Sequence, residues 1–342
     1  MKTPLVSILM PAYNAERWIK EAIISCINQT WSNKELIIVN DGSQDNTLKI
    51  AKQFEGKYIK VATQDNMGAA AARNKALAIA NGEFIQWLDA DDLLAPDKLS
   101  QQLKYYIGHT RARVLYSSSF GKFHYFPKNS KFIANALWQD LNPIEWLLIK
   151  FNFNYWMANS TWLINRELIE QAGPWDERLS MDDDGEYACR IVAKSEAIKF
   201  VAEARSYYRQ VNIGSISRST SEKASKSLLS STCSSINHLI SLEDSERTRA
   251  ACLKYLQRWL YHFYPENPSI YPDNEKSLCE LLDTINHIAD KLGGKLTQPE
   301  VNWKYKLTKK IFGMRLAMYI RNLLSYSKLF TSMCIDRLDG NL

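Results

Sequence analysis

The sequence predicts an α/β fold in which a doubly wound, mainly parallel sheet is flanked by helices and followed by a helical C-terminal extension. Three observations lead there. Short apolar runs of strand length alternate with longer stretches of helical periodicity through the first hundred residues, the order of a parallel sheet with crossover helices. Three of the four strand ends carry polar or acidic residues, at the edge where such sheets bind ligands. From about residue 216 onward, serine-rich and then helical patterns replace the alternation.

Each element has its own signal. "VSILM" (6–10) is a buried strand stopped by Pro11, and "AERWIKEAIISCINQ" (15–29) places Trp18, Ala22, Ile23 and Cys26 at helical spacing. "ELIIVND" (35–41) is the second strand. Ser43 is expected to cap a helix over 43–54. "IKVATQ" (59–64) is the third strand, and "GAAAARNKALAIANG" (68–82) is an alanine-rich helix expected to close on a left-handed Asn81-Gly82 cap. "EFIQWLD" (83–89) is the fourth strand. Beyond Pro96 the regularity weakens, and "YSSSFGKFHYF" and "FNFNYWMANSTWLI" read as strands or cleft walls, with Trp156, Asn159 and Trp162 as wall candidates. "RELIEQAG" (166–173) reads as a helix with a glycine stop, and "MDDDGEYACRIVAKS" (181–195) as a helix with an acidic start, which suits the positive end of its dipole.

Composition narrows the function. Charged residues are 23% and the net charge is +6, a mild excess that does not mark a nucleic-acid binder. The six cysteines are scattered without CxxC or zinc spacing, which points to a reduced, intracellular setting. The apolar run after Lys2 is too short for a secretory signal, and no stretch has the length of a spanning helix. A glycine-rich loop after the first strand is missing from "PAYNAERW", which argues against a dinucleotide dehydrogenase and a nucleotidyltransferase.

The chemistry gathers at three places. Asp89, Asp91 and Asp92 crowd three carboxylates into four positions after the fourth strand. Asp89 and Asp91 suit a shared Mg²⁺ or Mn²⁺ that in turn holds a diphosphate; the bland alternative is a solvated acidic turn. Asp41 suits a nucleobase imide N–H, with Tyr13 offering a ring face for stacking, or serves only as a turn and helix cap. Asp182, Asp183 and Asp184 open the later helix, where the dipole alone would favour an acidic start and mutual repulsion would raise the pKa of one carboxyl.

"VSILMPAYNAERWIKEAIISCINQTWSNKELIIVNDGSQDNT" and "NMGAAAARNKALAIANGEFIQWLDADD" together resemble the nucleotide-sugar-binding half of family 2 inverting glycosyltransferases, which have the GT-A fold. The likeness runs from about Val6 to Leu99 and more loosely to about Ser217. It implies transfer of a sugar from a nucleoside diphosphate donor, UDP-sugar favoured, to a glycan or lipid-linked acceptor in polysaccharide or glycolipid synthesis. By position, Pro11, Tyr13 and Asp41 look like the base-holding residues, and Arg73 like the nucleotide-contacting arginine. Asp91 matches the metal-coordinating aspartate and Asp89 its partner toward ribose and metal, with Asp92 orienting its neighbours. Counting back seven positions from Arg190 sets Asp184 on the family's base and Asp183 on the acid before it. Where relatives have a metal-site histidine, this chain has Val211 or Asn212, leaving Asn212, Ser215 or Arg218 as substitutes. The QxxRW motif of processive relatives is absent.

The resulting division is 1–115 for nucleotide-sugar binding, 116–218 for acceptor binding and 219–342 for a mostly helical region. Residues 303–328 interleave seven basic residues with aromatics and contain no acid, suiting either an anionic membrane surface or packing against the catalytic domain or a second subunit. No nucleic acid is expected as a partner. The expected location is the cytoplasm, with peripheral contact at the inner face of the membrane. The competing reading is a non-catalytic nucleotide-sugar-binding domain acting in an assembly.

Overall fold

In the computed structural model, residues 3–107, 113–210, 221–263 and 275–297 are described. The first half alternates as its periodicities dictate: β1 (Val6–Ala12), α1 (Ile19–Ile27), β2 (Lys34–Asp41), α2 (Thr47–Lys52), β3 (Ile59–Gln64), α3 (Ala69–Ile79) and β4 (Phe84–Trp87). β1 and β2 are buried along nearly their whole length, because helices cover both faces of the sheet they form. The parallel strands lie in the order β3-β2-β1-β4, with Leu9 between Ile37 and Trp87. The C-terminal ends of β1, β2 and β4 are therefore neighbours, as the pattern predicts. α1 buries Ile19, Ala22, Ile23 and Cys26, one helical stripe against the sheet.

Two expected caps are not made. Asn46, not Ser43, stands at the cap position of α2, and Asp45 Oδ1 accepts the Thr47 N–H at 2.9 Å. Ser43 Oγ instead accepts the N–H of Asn14 at 3.1 Å, and Asn14 Oδ1 accepts the N–H of Gln44 at 2.9 Å. These bonds tie the loop after β1 to the turn after β2. α3 ends at an extended Ala80, and Gly82 does not adopt the left-handed conformation. Its need is space: a Cβ there would fall 2.5 Å from the Ser7 backbone nitrogen.

The second half contains β5 (Leu93–Leu94), α4 (Lys98–Ile107), β6 (Val114–Phe123), β7 (Lys131–Phe132), α5 (Pro143–Phe153), β8 (Ile164–Asn165), α6 (Arg166–Ala172), α7 (Asp183–Lys194) and β9 (Ala197–Arg209). β8 adds an antiparallel edge to the first sheet, and a second sheet runs β5-β9-β6-β7. The aromatic stretch read as strands or walls from 151 begins as the end of α5, continues through a loop and a 3-10 turn at Asn159–Thr161, and becomes strand only at Ile164, where β8 starts. The helix is set by Asn142, whose side chain accepts the Glu145 N–H, and by Pro143 in its first turn. Trp162 is no cleft wall: it is 4% exposed and packs 5.8 Å from Trp146 in the core. Asn159 is buried as well.

Among the described residues three further helices follow: α8 (Glu222–Leu242), α9 (Glu246–Phe263) and α10 (Glu275–Lys291). Leu228, Ile236, Leu239, Leu256 and Ile285 share one continuous core with Leu9, Ile37 and Trp146, so this helical region is built onto the sheet domain. Among the described residues no helix is long and apolar enough to cross a membrane. The basic-aromatic segment 303–328, and Val211, Asn212, Ser215 and Arg218, lie outside the described residues.

Candidate active site

Strand ends deliver the first group. Pro11 does not stop β1 but lies inside it, one residue before its end at Ala12, and Tyr13 just beyond the strand is 50% exposed. Asp41 at the end of β2 is 2% exposed and already engaged. Its Oδ1 accepts from Gln64 Nε2 (2.8 Å) and the Met67 N–H (2.9 Å), and its Oδ2 from the Gly68 N–H (2.9 Å). The carboxylate thus fixes the loop that leads into α3. Gly42 follows with φ +70°, where a Cβ would sit 2.7 Å from the Asn66 nitrogen, so the DG pair is required by close approach as well as by conformation.

The turn after β4 separates its three aspartates. Asp92 points inward: its Oδ1 accepts the Arg209 N–H at 3.0 Å, and its own N–H returns to the Asp89 carbonyl at 3.1 Å. Burial, then the charges of Asp91 and Asp89, push its carboxyl well above the usual range. Arg209, at the end of β9, is the clamp. Its Nε donates to the Asp91 carbonyl (2.8 Å), its Nη2 pairs with Glu21 on α1 (2.7 Å), and its guanidinium lies 4.2 Å from the Trp18 ring centre.

Arg73 joins this turn to the acidic helix start. From α3 its Nη2 donates to Asp89 Oδ1 (2.9 Å) and its Nη1 to Asp183 Oδ2 (2.8 Å), while its guanidinium lies over Trp175 at 4.3 Å. Burial alone would lower its pKa; Asp89 and Asp183 overcome that and raise it. Asn74, the next residue, exchanges two hydrogen bonds with the Trp175 backbone (2.9 and 2.8 Å), and Trp175 stacks on Tyr187 of α7 at 3.9 Å. Arg190 holds the far side by pairing with Glu186 (2.8 Å) and donating to the carbonyls of Ala172 and Pro174, both at 2.7 Å.

Asp183 and Asp184 are therefore not equivalent. Asp183 is committed to Arg73, whereas Asp184 is exposed and, among the described residues, accepts only the N–H of Gly185 (2.9 Å). Desolvation, with the like charges of Asp183 and Asp182, pushes its carboxyl up to about 7, and Arg73 pulls the other way.

The residues fit a divalent cation in part. Among the described residues no group of three or more His, Cys, Asp or Glu forms a complete cage. Asp91 and Asp89 supply hard oxygens one residue apart. Asp89 gives one oxygen to Arg73 and stays one-third exposed, so the remaining positions suit phosphate oxygens and water. Sequence reasoning brought Asp41, Arg73, Asp89, Asp91, Asp183 and Asp184 forward. It passed over Arg209 and Asn74, whose cues were the "YYR" strand end and the "ARN" triplet.

The profile described as glycosyl transferase family 2 matches residues 7–170. The UDP-Glc:alpha-D-GlcNAc-diphosphoundecaprenol beta-1,3-glucosyltransferase of Escherichia coli is 40% identical over 134 residues, covering 38% of this chain and 51% of that one. The chain spans between 19% and 51% of the length of six such curated relatives. In fold it is similar to S. aureus TarS, solved with UDP-GlcNAc, at 15% identity and a TM-score of 0.58 over 87% of this chain and 94% of that one. A mannosyltransferase of Pyrobaculum calidifontis, solved with GDP-Man and Mn²⁺, gives 17% identity and 0.51 over 94% and 88%. The chain thus carries a glycosyl transferase family 2 domain on a GT-A fold.

Proposed function

We propose that the protein is an inverting glycosyltransferase that moves a sugar from a nucleoside diphosphate donor, a UDP-sugar favoured, to a hydroxyl of a glycan or lipid-linked acceptor. The observation that carries this reading is Arg73, which spans Asp89 and Asp183 and brings the two acidic turns to one site. Pro11 and Tyr13 flank the base, with Asp41 beneath it. Residues 1–115 would serve as the donor half and the segment from 116 to the end of β9 as the acceptor half, with α8, α9 and α10 following.

In the transfer, Asp184 takes the proton of the acceptor hydroxyl. That oxygen bonds to the anomeric carbon from the face opposite the diphosphate, whose C–O bond breaks and whose oxygen leaves with the electron pair. A Mg²⁺ or Mn²⁺ held by Asp91 and Asp89 would supply positive charge to the departing diphosphate. Arg73 keeps the two turns in register, and Arg209 fixes the backbone that aims Asp91. An acceptor on a lipid carrier, such as the E. coli relative is named for, suits work at the inner face of the membrane.

A panel of UDP-glucose, UDP-GlcNAc and GDP-mannose, with and without Mn²⁺, tests the reading by thermal shift and by nucleotide release. One donor is expected to raise the melting temperature, more with Mn²⁺, and to be turned over by wild type but not by Asp184→Asn. Binding with equal, negligible turnover in both would favour a non-catalytic binding domain; no stabilisation by any donor at millimolar concentration would end the donor assignment.

A further inference from the structure

The groups that hold the acidic start of α7 come from α8, beyond the segment the family profile matches. Ser227 Oγ accepts the N–H of Ser180 (2.8 Å) and of Met181 (2.9 Å) and donates to the Met181 carbonyl (2.8 Å), so one buried hydroxyl ties three backbone groups. One turn later, fully buried Ser231 lies 2.9 Å from the Asp182 carbonyl and 2.5 Å from Asp182 Oδ2. Two turns further, His238 Nε2 lies 3.2 Å from Glu186 Oε1. The spacing of 227, 231 and 238 puts all three on one face of α8.

Asp182 needs such support. Its backbone is left-handed (φ 58°, ψ 28°), a conformation that disfavours non-glycine residues, and its side chain makes no capping bond. A Cβ at Gly185 would fall 2.1 Å from Asp182 Oδ1, so the glycine leaves room for that carboxyl to turn toward α8. The turn at Asp182 sets the direction in which α7 departs, and with it the placement of Asp183 and Asp184.

Ser231 has one proton and faces two oxygens. Its hydroxyl is shared between the Asp182 carbonyl and the Asp182 carboxylate. Burial raises the Asp182 carboxyl, as do Asp183 and Glu186 on α7, against Lys150 from α5 and Ser231 from α8.

We propose that α8 is part of the active site, with Ser231 and Ser227 as positioning residues that fix the turn Ser180–Asp182 and thereby aim Asp184 at the acceptor hydroxyl. The inference rests on the reading of Asp184 as the base.

The test compares Ser231→Ala, Ser227→Ala, Ser231→Thr and Ser230→Ala in the full chain, with Asp184→Asn alongside. Ser230 bonds the Lys226 carbonyl within the same helix and serves as the matched control. Amide exchange over residues 176–190 is expected to rise about tenfold in the Ser231→Ala and Ser227→Ala proteins, with the rest of the chain unchanged. With the donor found in the panel, kcat is expected to fall about tenfold at unchanged donor KM. Ser231→Thr, which keeps the hydroxyl, restores both readouts, and Ser230→Ala matches wild type. Wild-type exchange in Ser231→Ala, or a loss shared by the whole chain, would overturn the proposal. Full turnover by Asp184→Asn would instead sink the assignment of the base, independently of how the loop exchanges.

Discussion

The two acidic turns, Asp89–Asp92 and Asp182–Asp184, manage the same problem in parallel ways. In each, one aspartate turns inward and is held from another element: Asp92 by the Arg209 N–H of β9, Asp182 by Ser231 of α8. In each, a second aspartate pairs with Arg73. The third differs in kind. Asp91 has its backbone carbonyl held by a guanidinium, whereas exposed Asp184 accepts, among the described residues, only a backbone N–H. Crowded carboxylates are thus tolerated by giving those of one turn different partners. The difference also separates their tasks: the first turn is braced by cations, as a diphosphate site must be, and the second keeps a carboxyl raised by its neighbours.

The largest expected effect comes from removing that carboxyl. Asp184→Asn should lower kcat by about 10²–10⁴-fold, the usual contribution of a general base, with donor-induced thermal stabilisation retained. Asp183→Asn should cost less in kcat and more in stability, since its carboxylate holds Arg73. If the two variants behave alike in turnover, the distinction between the aspartates fails.

Arg73→Gln attacks both turns at once. It leaves Asp89 and Asp183 without their shared cation, and unfolding free energy in urea should fall by about 3 kcal/mol. Because Arg73 also lowers Asp184, the same variant sharpens the pH comparison. A base works only when deprotonated, so kcat should rise with pH through a midpoint near 7 in wild type, where Asp184 is pushed up to about 7. In Arg73→Gln the midpoint should move to higher pH. A midpoint that stays near 4 in both would show that the crowding around Asp184 has no catalytic consequence.

Arg209→Gln touches only the first turn. It removes the bonds to the Asp91 carbonyl and to Glu21, and should cost about 2 kcal/mol of stability. Donor affinity should weaken while the pH midpoint of kcat stays in place. A shift of that midpoint would mean the turns are coupled through β9 as well as through Arg73.

The sequence was informative where structure is local. β1 to β4 were legible because each is a short apolar run fixed by its own burial, and the DAD turn because its aspartates follow β4 directly. Caps were less so: Ser43 and Asp45 are both good N-terminal residues, and only the pairing of Asn14 with Ser43 and Gln44 decides between them. The α5 region was misread because aromatic residues suit a strand, a helix or a wall equally, and Asn142-Pro143 carried the signal. Arg73 was legible as a motif residue, but its link to Asp183 crosses 110 positions and exists only once α3 and α7 meet. The serines of α8 look like any polar helix face until their hydroxyls are seen on the 180–182 backbone.

The central claim, that Arg73 makes one site of two acidic turns, is tested most directly by a double-mutant cycle on stability with Asp89→Asn, Asp183→Asn and the double variant, measured by urea unfolding. Two carboxylates sharing one guanidinium should give single changes whose sum misses the double by about 1 kcal/mol or more, and the discrepancy should vanish in an Arg73→Gln background. Additivity within about 0.5 kcal/mol in both backgrounds would contradict the account.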